Sequence, residues 1–244
     1  MTKAVASSSA KDPRARSRAA GYPKGDEVRE RILRVALIAF GENGFRATTT
    51  RQIAEGAGVN LPALQYYFGG KQGLYLACAE DVVDHYLRHM AGATRPAAII
   101  LEAEAPRQVA IAELKAVVRA LATFLVGSQV APIWAPFVSR EVSDPGPAFE
   151  ILYTRLWQPG VALMAGLVGK ISGEGPKSPT SRVQALLIIS SLMAFQSGRR
   201  VSQRLLDWPQ VGEAELSVVI AVLEAQIDAI GRVRGSQSPD VLSA

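Results

Sequence analysis

The sequence predicts an all-α protein. After residue 25, apolar residues recur at helical spacing through nearly the whole chain, and no segment shows a convincing strand pattern. With 244 residues, of which 48% are hydrophobic, the chain can bury a sizeable core, which excludes a wholly disordered protein. The single cysteine, Cys78, excludes an internal disulfide and a cysteine-rich zinc module.

The first 25 residues differ from the rest in charge and polarity. The chain has 27 Lys and Arg against 22 Asp and Glu, a net charge of +5, and residues 1–25 hold six of those cations and one acid. Because this segment has no hydrophobic period, we expect a disordered basic arm. It either lies along a polyanion or is a solvated tail without a partner, and the residues leave both interpretations open.

Neither a secretory signal nor a membrane span is visible. The N-terminal segment lacks the apolar stretch of a signal peptide, and the apolar runs stop well short of the roughly 20 residues that cross a bilayer. We therefore expect a cytoplasmic protein with no membrane partner. The alternative is a transit peptide, because the N-terminal segment is basic and rich in serine and alanine, although it contains Asp12 and Pro13.

The first two helices are predicted from an apolar stripe and from their end signals. Residues 26–44 carry the stripe of an amphipathic helix, with acidic residues at its start and Gly44 at its end. A short second helix follows Thr48 and Thr49, and either threonine can cap it.

The next two helices follow a glycine turn. Gly58 supplies the left-handed conformation of a tight turn, and Asn60 is a suitable cap for a third helix over residues 61–68. A long fourth helix begins at Lys71.

The remaining helices are separated by segments rich in proline and glycine. Residues 96–106 are expected to be a linker or a short helix, and Pro159 should kink or split the helical segment 147–172. A loop is expected over residues 173–179. Further helices are predicted over residues 108–126, 134–141, 181–198 and 213–233.

Residues 46–68 have the order helix, glycine turn, short helix, which is typical of a helix-turn-helix. Ala54 is the small residue of the first helix, and the apolar anchors of the second helix are Leu64, Tyr67 and Phe68. The opposite side, with Leu61, Pro62, Gln65 and Tyr66, then faces outward, and its width matches the roughly 12 Å major groove of DNA. The alternative is an ordinary helical hairpin in a bundle, against which the outward Tyr66, the basic arm and Lys71 argue.

The segment FRATTTRQIAEGAGVNLPALQYYFGGKQGLYLAC (45–78) resembles the DNA-binding segment of TetR-family transcriptional repressors. The segment PFVSREVSDPGPAFEILYTRLWQPGVALMAGLV (136–168) is similar to the CecR-type subgroup, on the shorter motif FVSRE (137–141). The resemblance implies an N-terminal helix-turn-helix DNA-binding domain and a larger C-terminal helical domain for ligand binding and dimerisation.

The resemblance also implies which residues contact DNA. Phosphate contacts are expected from Thr48, Thr49 and Arg51, contacts to base edges from Asn60, Leu61, Pro62, Ala63 and Gln65, and backbone contacts from Tyr66 and Lys71. Many family members have other residues at the positions of Leu61, Pro62 and Gln65. Base recognition here would therefore use apolar contacts to thymine methyls and a contact from Gln65 to adenine.

For the C-terminal domain, the family resemblance implies a ligand cavity between the central helices. The scattered aromatic residues are either plain core or walls of this cavity. The residues chosen as ligand contacts are Tyr86, Trp134, Phe137, Arg140, Tyr153, Trp157 and Met164. An alternative for Arg140 is a structural ion pair with Glu141.

The last two predicted helices carry continuous apolar stripes that we expect to form the dimer interface. The first stripe is Val183, Leu186, Leu187, Ser190 and Ala194, and the second is Leu216, Val219, Ile220, Leu223, Ile227 and Ile230. Two such helices from each subunit would form a four-helix bundle with twofold symmetry. Alternatively, both stripes cover the core of their own subunit.

No enzyme, cofactor or metal is expected. The sequence has no glycine-rich phosphate loop and no nucleophile elbow. It also shows no pair of carboxylates for which a catalytic mechanism can be written. Asp81, His85 and His89 share one face of a helix at a spacing that could bind a metal, but solvated polar residues are the preferred interpretation.

The expected domains are a disordered basic arm (1–25), a DNA-binding domain (26–72), a ligand-binding and dimerisation domain (73–234) and a flexible tail (235–244). The function predicted is a homodimeric, ligand-responsive regulator, preferably a repressor, of a palindromic operator. Its effector would be a small amphipathic or aromatic molecule. The alternative is a helical scaffold or an enzyme that acts through the C-terminal domain.

Overall fold

The computed structural model describes residues 23–128 and 131–230. Within those ranges every regular element is a helix and no strand occurs, which confirms the all-α class. Most of the basic arm expected over residues 1–25, and the whole tail expected over residues 235–244, lie outside the described residues.

The α-helices are numbered here in chain order. They are α1 (Pro23–Ala47), α2 (Thr50–Gly56), α3 (Leu61–Phe68), α4 (Lys71–Glu102), α5 (Arg107–Ala122), α6 (Ala131–Ser143), α7 (Phe149–Leu152), α8 (Gln158–Ser172), α9 (Pro179–Gln196), α10 (Arg199–Leu205) and α11 (Glu213–Ile230). A five-residue π-helical segment, Thr123–Gly127, follows α5, and a second, Tyr153–Trp157, joins α7 to α8. The sequence did not predict α10, because none of its residues is buried and it therefore carries no apolar stripe.

The caps expected for α2 and α3 are confirmed. The Thr49 hydroxyl accepts a hydrogen bond from the backbone N–H of Gln52, and the Gln52 side chain accepts from the Thr49 N–H, which forms a capping box. Gly58 adopts a left-handed conformation (φ 63°) in the turn between the helices. The Asn60 side chain then accepts from the Ala63 N–H at 2.9 Å and starts α3.

The segment 96–106 was expected to be a linker or a short helix, but most of it forms the last turns of α4. Pro96 removes one backbone hydrogen bond from the helix. The turns beyond Pro96 are held by packing, because Ala97 is fully buried and Leu101 packs against the C-terminal core.

The break expected at Pro159 is milder than a split. The π-helical segment Tyr153–Trp157 ends just before α8, and Pro159 lies in the first turn of α8, where a missing N–H is tolerated. The chain therefore continues through this point without a loop.

Two hydrophobic cores lie along α4. The N-terminal core joins α1, α2, α3 and the first half of α4, and Trp134 and Phe137 of α6 pack into it. The C-terminal core joins the second half of α4 to α5, α8, α9 and α11. Since the N-terminal core includes Leu74 to Val83, the expected domain boundary at residue 72 falls inside a core. None of the helices within residues 23–128 and 131–230 combines the length and the continuous apolar sequence that a membrane span requires.

Candidate DNA-binding surface and ligand cavity

Helix α3 presents the predicted face to solvent. Leu64 and Phe68 are buried in the N-terminal core, so the helix is anchored from behind. The opposite face is exposed and includes Leu61, Pro62, Gln65 and Tyr66, the last of which is 84% exposed. A short helix with one buried and one free face can enter the major groove of DNA without unfolding.

Other candidate DNA contacts surround this face. Thr49 and Arg51 are exposed at the start of α2, and Ala63 is half-buried on α3. Asn60 is exposed, but its side-chain oxygen already caps α3, which leaves its amide N–H groups for a base or phosphate.

Lys71 is held in place by the end of α1. Its ammonium group donates a hydrogen bond to the Arg46 carbonyl at 3.2 Å and lies 4.7 Å from the centre of the Phe45 ring. An ammonium has three donors, so this anchoring leaves donors for a phosphate. The side chain therefore lies beside the end of α1, and Lys71 itself starts α4 three residues after α3 ends at Phe68.

The structure contradicts the phosphate contact expected from Thr48. This residue is 1% exposed, and the single proton of its hydroxyl is shared between the Ala39 carbonyl at 3.0 Å and the Gly44 carbonyl at 2.8 Å. The Thr48 side chain therefore binds backbone carbonyls near the C-terminal end of α1 and is not available to a phosphate. The sequence could not distinguish it from Thr49, because the two threonines are adjacent and either can cap a helix.

Two arginines of α1 contact the helix-turn-helix, and the sequence did not predict these contacts. The Arg31 guanidinium donates from Nε to the Ala57 carbonyl at 2.7 Å, which fixes the turn between α2 and α3. The Arg29 guanidinium lies 5.6 Å from the Phe68 ring centre. Both partners are distant in sequence, so no local pattern could indicate these contacts.

An apolar cavity of about 210 Å³ lies between α4, α5, α6, α8 and α9. Four of the predicted ligand contacts are in its wall: Tyr86, Trp134, Trp157 and Met164. Among the described residues the lining contains no Asp, Glu, Lys, Arg or His, and burial raises the pKa of the Tyr86 phenol. The cavity therefore offers neutral donors and apolar walls, and an ionised group inside it would be costly.

Comparison with known proteins decides the family. A model of the C-terminal domain of the HTH-type transcriptional dual regulator CecR matches residues 110–232, slightly more than half of the chain. A model of bacterial regulatory proteins of the tetR family matches residues 32–78. The chain belongs to the CecR-type TetR family of transcriptional regulators. Both parts of the resemblance seen in the sequence are thus confirmed, and the chain is a transcriptional regulator rather than an enzyme.

Individual relatives agree with this assignment. The dual regulator CecR of Shigella flexneri is 27% identical over 209 residues, which cover 85% of this chain and 92% of that protein. The regulator RutR of Escherichia coli (strain K12) is 45% identical over 56 residues, 23% of this chain and 26% of that protein. Likeness to RutR is therefore confined to a short segment.

Solved structures share the fold at low identity. AibR in complex with isovaleryl coenzyme A and operator DNA superposes with a TM-score of 0.56 and 12% identity, covering 82% of this chain and 97% of that one. A transcriptional regulator from Rhodococcus sp. Rha1 gives 0.54 and 19%, covering 86% and 99%.

Two predicted ligand contacts of this TetR-family regulator lie outside the cavity. Phe137 is fully buried in the N-terminal core, where its ring lies 4.9 Å from that of Tyr75. Tyr153 is exposed and stacks on Phe149 with 5.8 Å between ring centres. The period of a helix does not say which of two neighbouring cores a side chain enters, which explains the error for Phe137. Tyr153 enters neither core and instead lines a groove beside the cavity.

Arg140 is neither a ligand contact nor the partner of Glu141. Its guanidinium donates to the Gly41 carbonyl at 3.2 Å and to the Glu42 carbonyl at 2.9 Å, near the end of α1. Both interpretations of Arg140 made from the sequence are therefore wrong. Adjacent residues on a helix point in different directions, and here each meets its own partner.

Glu141 is fully buried and bridges two other elements. Its carboxylate accepts a hydrogen bond from the Tyr75 hydroxyl of α4 at 2.5 Å and one from the Gly146 N–H at 3.1 Å. Burial and the bond to Glu141 raise the pKa of Tyr75 well above its usual value. Thus Arg140 and Glu141 join α6 to both α1 and α4.

The stripe predicted on α9 is exposed, whereas the stripe predicted on α11 is not. The five α9 residues, Val183, Leu186, Leu187, Ser190 and Ala194, are all exposed, although Leu186 also lines the cavity. The α11 residues, Leu216, Val219, Ile220, Leu223, Ile227 and Ile230, pack against the core of their own subunit, which corrects their assignment to the dimer interface. The exposed apolar side of α11 is instead formed by Val218, Val222, Ala225 and Ala229.

Proposed function

We propose that this regulator is a homodimeric repressor that binds a palindromic operator and is released by a small effector in its apolar cavity. The observation that carries the proposal is the position of α6. One side of this helix forms cavity wall with Trp134 and Val138, and the other side holds α1 through Arg140. Occupancy of the cavity and placement of the DNA-binding helices therefore depend on the same element.

The proposed DNA surface centres on the exposed face of α3. Gln65 would bond adenine, while Leu61 and Pro62 would meet thymine methyls. Thr49, Arg51, Tyr66 and Lys71 would contact the phosphate backbone, with Asn60 and Ala63 at the start of the helix. The basic arm of residues 1–25 would add sequence-independent affinity.

Coupling between cavity and DNA follows from close packing of α6 on α1. A methyl group added at Gly41 would lie 2.9 Å from Cβ of Pro136, so the two helices already approach as closely as atoms allow. A shift of α6 cannot be absorbed at that contact and must move α1. The required coupling free energy is typically about 1–3 kcal/mol.

We propose a dimer interface formed by α9 and the exposed side of α11. Each of these two helices has an exposed apolar stripe. The same two helices of a second subunit would cover both stripes and complete a four-helix bundle. The two DNA-binding domains would then occupy successive major grooves about 34–36 Å apart. AibR, which shares this fold, was solved in complex with isovaleryl coenzyme A and operator DNA.

DNA binding is tested by titrating the DNA upstream of the regulator's own gene and following fluorescence anisotropy at several salt concentrations. Gln65→Ala should cost about 1–3 kcal/mol of binding to the operator but little to unrelated DNA. Lys71→Ala should lower the salt slope by about 1. Gln108→Ala, an exposed glutamine on α5, is the control. Unchanged affinity in both DNA-surface variants would contradict the proposed surface.

The dimer is tested by analytical ultracentrifugation. Leu187→Arg places a charge on the α9 stripe at a residue 64% exposed in one subunit, and it should yield monomers. Ile99→Arg, at a residue of α4 that is 66% exposed, should leave the dimer intact. If the Leu187→Arg variant remains dimeric, the dimer interface lies elsewhere on the protein.

Effector action is tested by plugging the cavity. Cβ of a residue at Gly160 would lie 3.5 Å from the Tyr86 hydroxyl, so Gly160→Ala is accommodated, whereas Gly160→Leu would extend into the cavity. Gly160→Leu should block release by any compound that releases the wild-type regulator from its operator, and Gly160→Ala should not. Normal release of Gly160→Leu would place the effector site elsewhere.

A further inference from the structure

A groove outside the apolar cavity shares part of its wall. The groove has a volume of about 710 Å³ and is formed by the Tyr153–Trp157 segment, α8, the loop after α8 and the start of α9. Trp157, Val161 and Leu186 line both the groove and the cavity. At these positions single side chains separate the two spaces, and rotation of one of them would join the spaces for an elongated molecule.

The cavity alone is small for a ligand. Sites for drug-sized molecules usually measure about 300–1,000 Å³. At about 210 Å³, the cavity has room for one compact apolar group and offers nothing to neutralise a charge. A polar part of the same molecule would have to remain in the groove.

Two cations border this groove. Lys177 in the loop before α9 and Arg182 in the first turns of α9 are both exposed groove residues. No ion pair engages either of them within residues 23–128 and 131–230. Arg155, on the neighbouring π-helical segment, is instead neutralised by carboxylates of α4.

We propose that the effector is an amphipathic anion whose apolar group fills the cavity and whose carboxylate or phosphate lies in the groove against Lys177 and Arg182. This inference rests on the proposed function and adds the chemical class of the ligand. The apolar group gains from burial in the cavity. The anionic group stays partly hydrated beside two cations, so it avoids the cost of entering an uncharged interior.

The test is isothermal titration of the full-length dimer with three probes of the same chain length, octanoate, octyl phosphate and 1-octanol. Lys177→Ala/Arg182→Ala removes both cations of the groove, and Arg95→Ala/Arg107→Ala removes two exposed cations elsewhere as a charge-matched control. Both anions should bind the wild-type protein more tightly than 1-octanol. The groove variant should lose about two- to thirty-fold in affinity for the anions, as expected for two exposed ion pairs, and none for 1-octanol. The ratio of octanoate to octyl phosphate affinity identifies which anion is preferred.

Several results would overturn the inference. The first is equal affinity of the wild-type protein for octanoate and 1-octanol. The second is an equal loss of anion affinity in the groove variant and in its control. The third is that neither anion binds. If Gly160→Leu then abolishes 1-octanol binding, the cavity remains an effector site and the proposed function stands. If binding of every probe survives in Gly160→Leu, the cavity itself is the wrong site, and the proposed function fails with the inference.

Discussion

The hydroxyl of Tyr75 offers a direct measurement of how firmly α6 is joined to α4. The ring packs among three phenylalanines, with centre distances of 4.8 Å to Phe40, 4.9 Å to Phe45 and 4.9 Å to Phe137. Tyr75→Phe keeps those contacts and removes only the hydrogen bond to Glu141. The change in stability therefore reports this bond with little contribution from repacking.

The expected cost follows from the surroundings of Glu141. The carboxylate is fully buried and would keep only the N–H of Gly146 at 3.1 Å. A hydrogen bond to a charged group contributes about 1.5–3 kcal/mol, so Tyr75→Phe should lower the free energy of unfolding by about 2 kcal/mol. Urea unfolding at one fixed protein concentration measures this cost, because the stability of the proposed dimer would depend on concentration.

Tyr86→Phe is the matched control, since the hydroxyl of Tyr86 has no hydrogen-bond partner among the described residues and faces the cavity. It should change stability by less than about 0.5 kcal/mol. A double-mutant cycle of Tyr75→Phe with Glu141→Gln should give a coupling energy of at least about 1 kcal/mol. Equal costs for the two tyrosine variants, or no coupling in the cycle, would refute the reasoning.

Three further outcomes are expected. Gly73→Ala should destabilise the junction of α3 and α4, because its Cβ would lie 1.9 Å from the Phe68 carbonyl oxygen, while Gly92→Ala in open space should stabilise by about 0.4–1 kcal/mol in thermal unfolding. Cys78 is fully buried and its thiol pKa is raised by burial, so a thiol reagent should modify it only on unfolding. The raised pKa of Tyr75 means that the folded state keeps a proton that the unfolded chain releases near pH 10; the free energy of unfolding should fall above that pH by up to about 1.4 kcal/mol per unit, and less in Tyr75→Phe.

Local signals allowed much of the N-terminal part to be predicted. Thr49, Gly58 and Asn60 act through hydrogen bonds and backbone angles within a few residues. Gly58 and Asn60 were predicted in the roles they have, and Thr49 was one of two threonines predicted as the possible cap of α2. The orientation of α3 followed from the spacing of Leu64 and Phe68. Such features need no knowledge of the tertiary structure.

Predictions failed where two helix faces are almost equally apolar. Helix α11 has bulky residues such as Leu223 toward the core and Val218 and Val222 toward solvent, so its sequence does not say which side a second subunit could cover. The partners of Arg140 and Glu141 are far away in sequence, and no spacing rule indicates them. The same limit applies to Lys177 and Arg182, because the sequence does not indicate that both line one groove beside the cavity.

The contacts of α6 constrain how a ligand signal can travel. Trp134 lies in the cavity wall, while Arg140 and Glu141, two turns further along, bind α1 and α4. Packed interfaces resist gradual deformation. A ligand that displaces the backbone at Trp134 therefore has two possible effects: α6 moves as a rigid unit, or the hydrogen bonds of Glu141 break. Tyr75→Phe weakens the second connection and leaves the first, so it should reduce release by effector if the signal passes through α4. Unchanged release with lowered stability would assign the signal to the contact between α6 and α1.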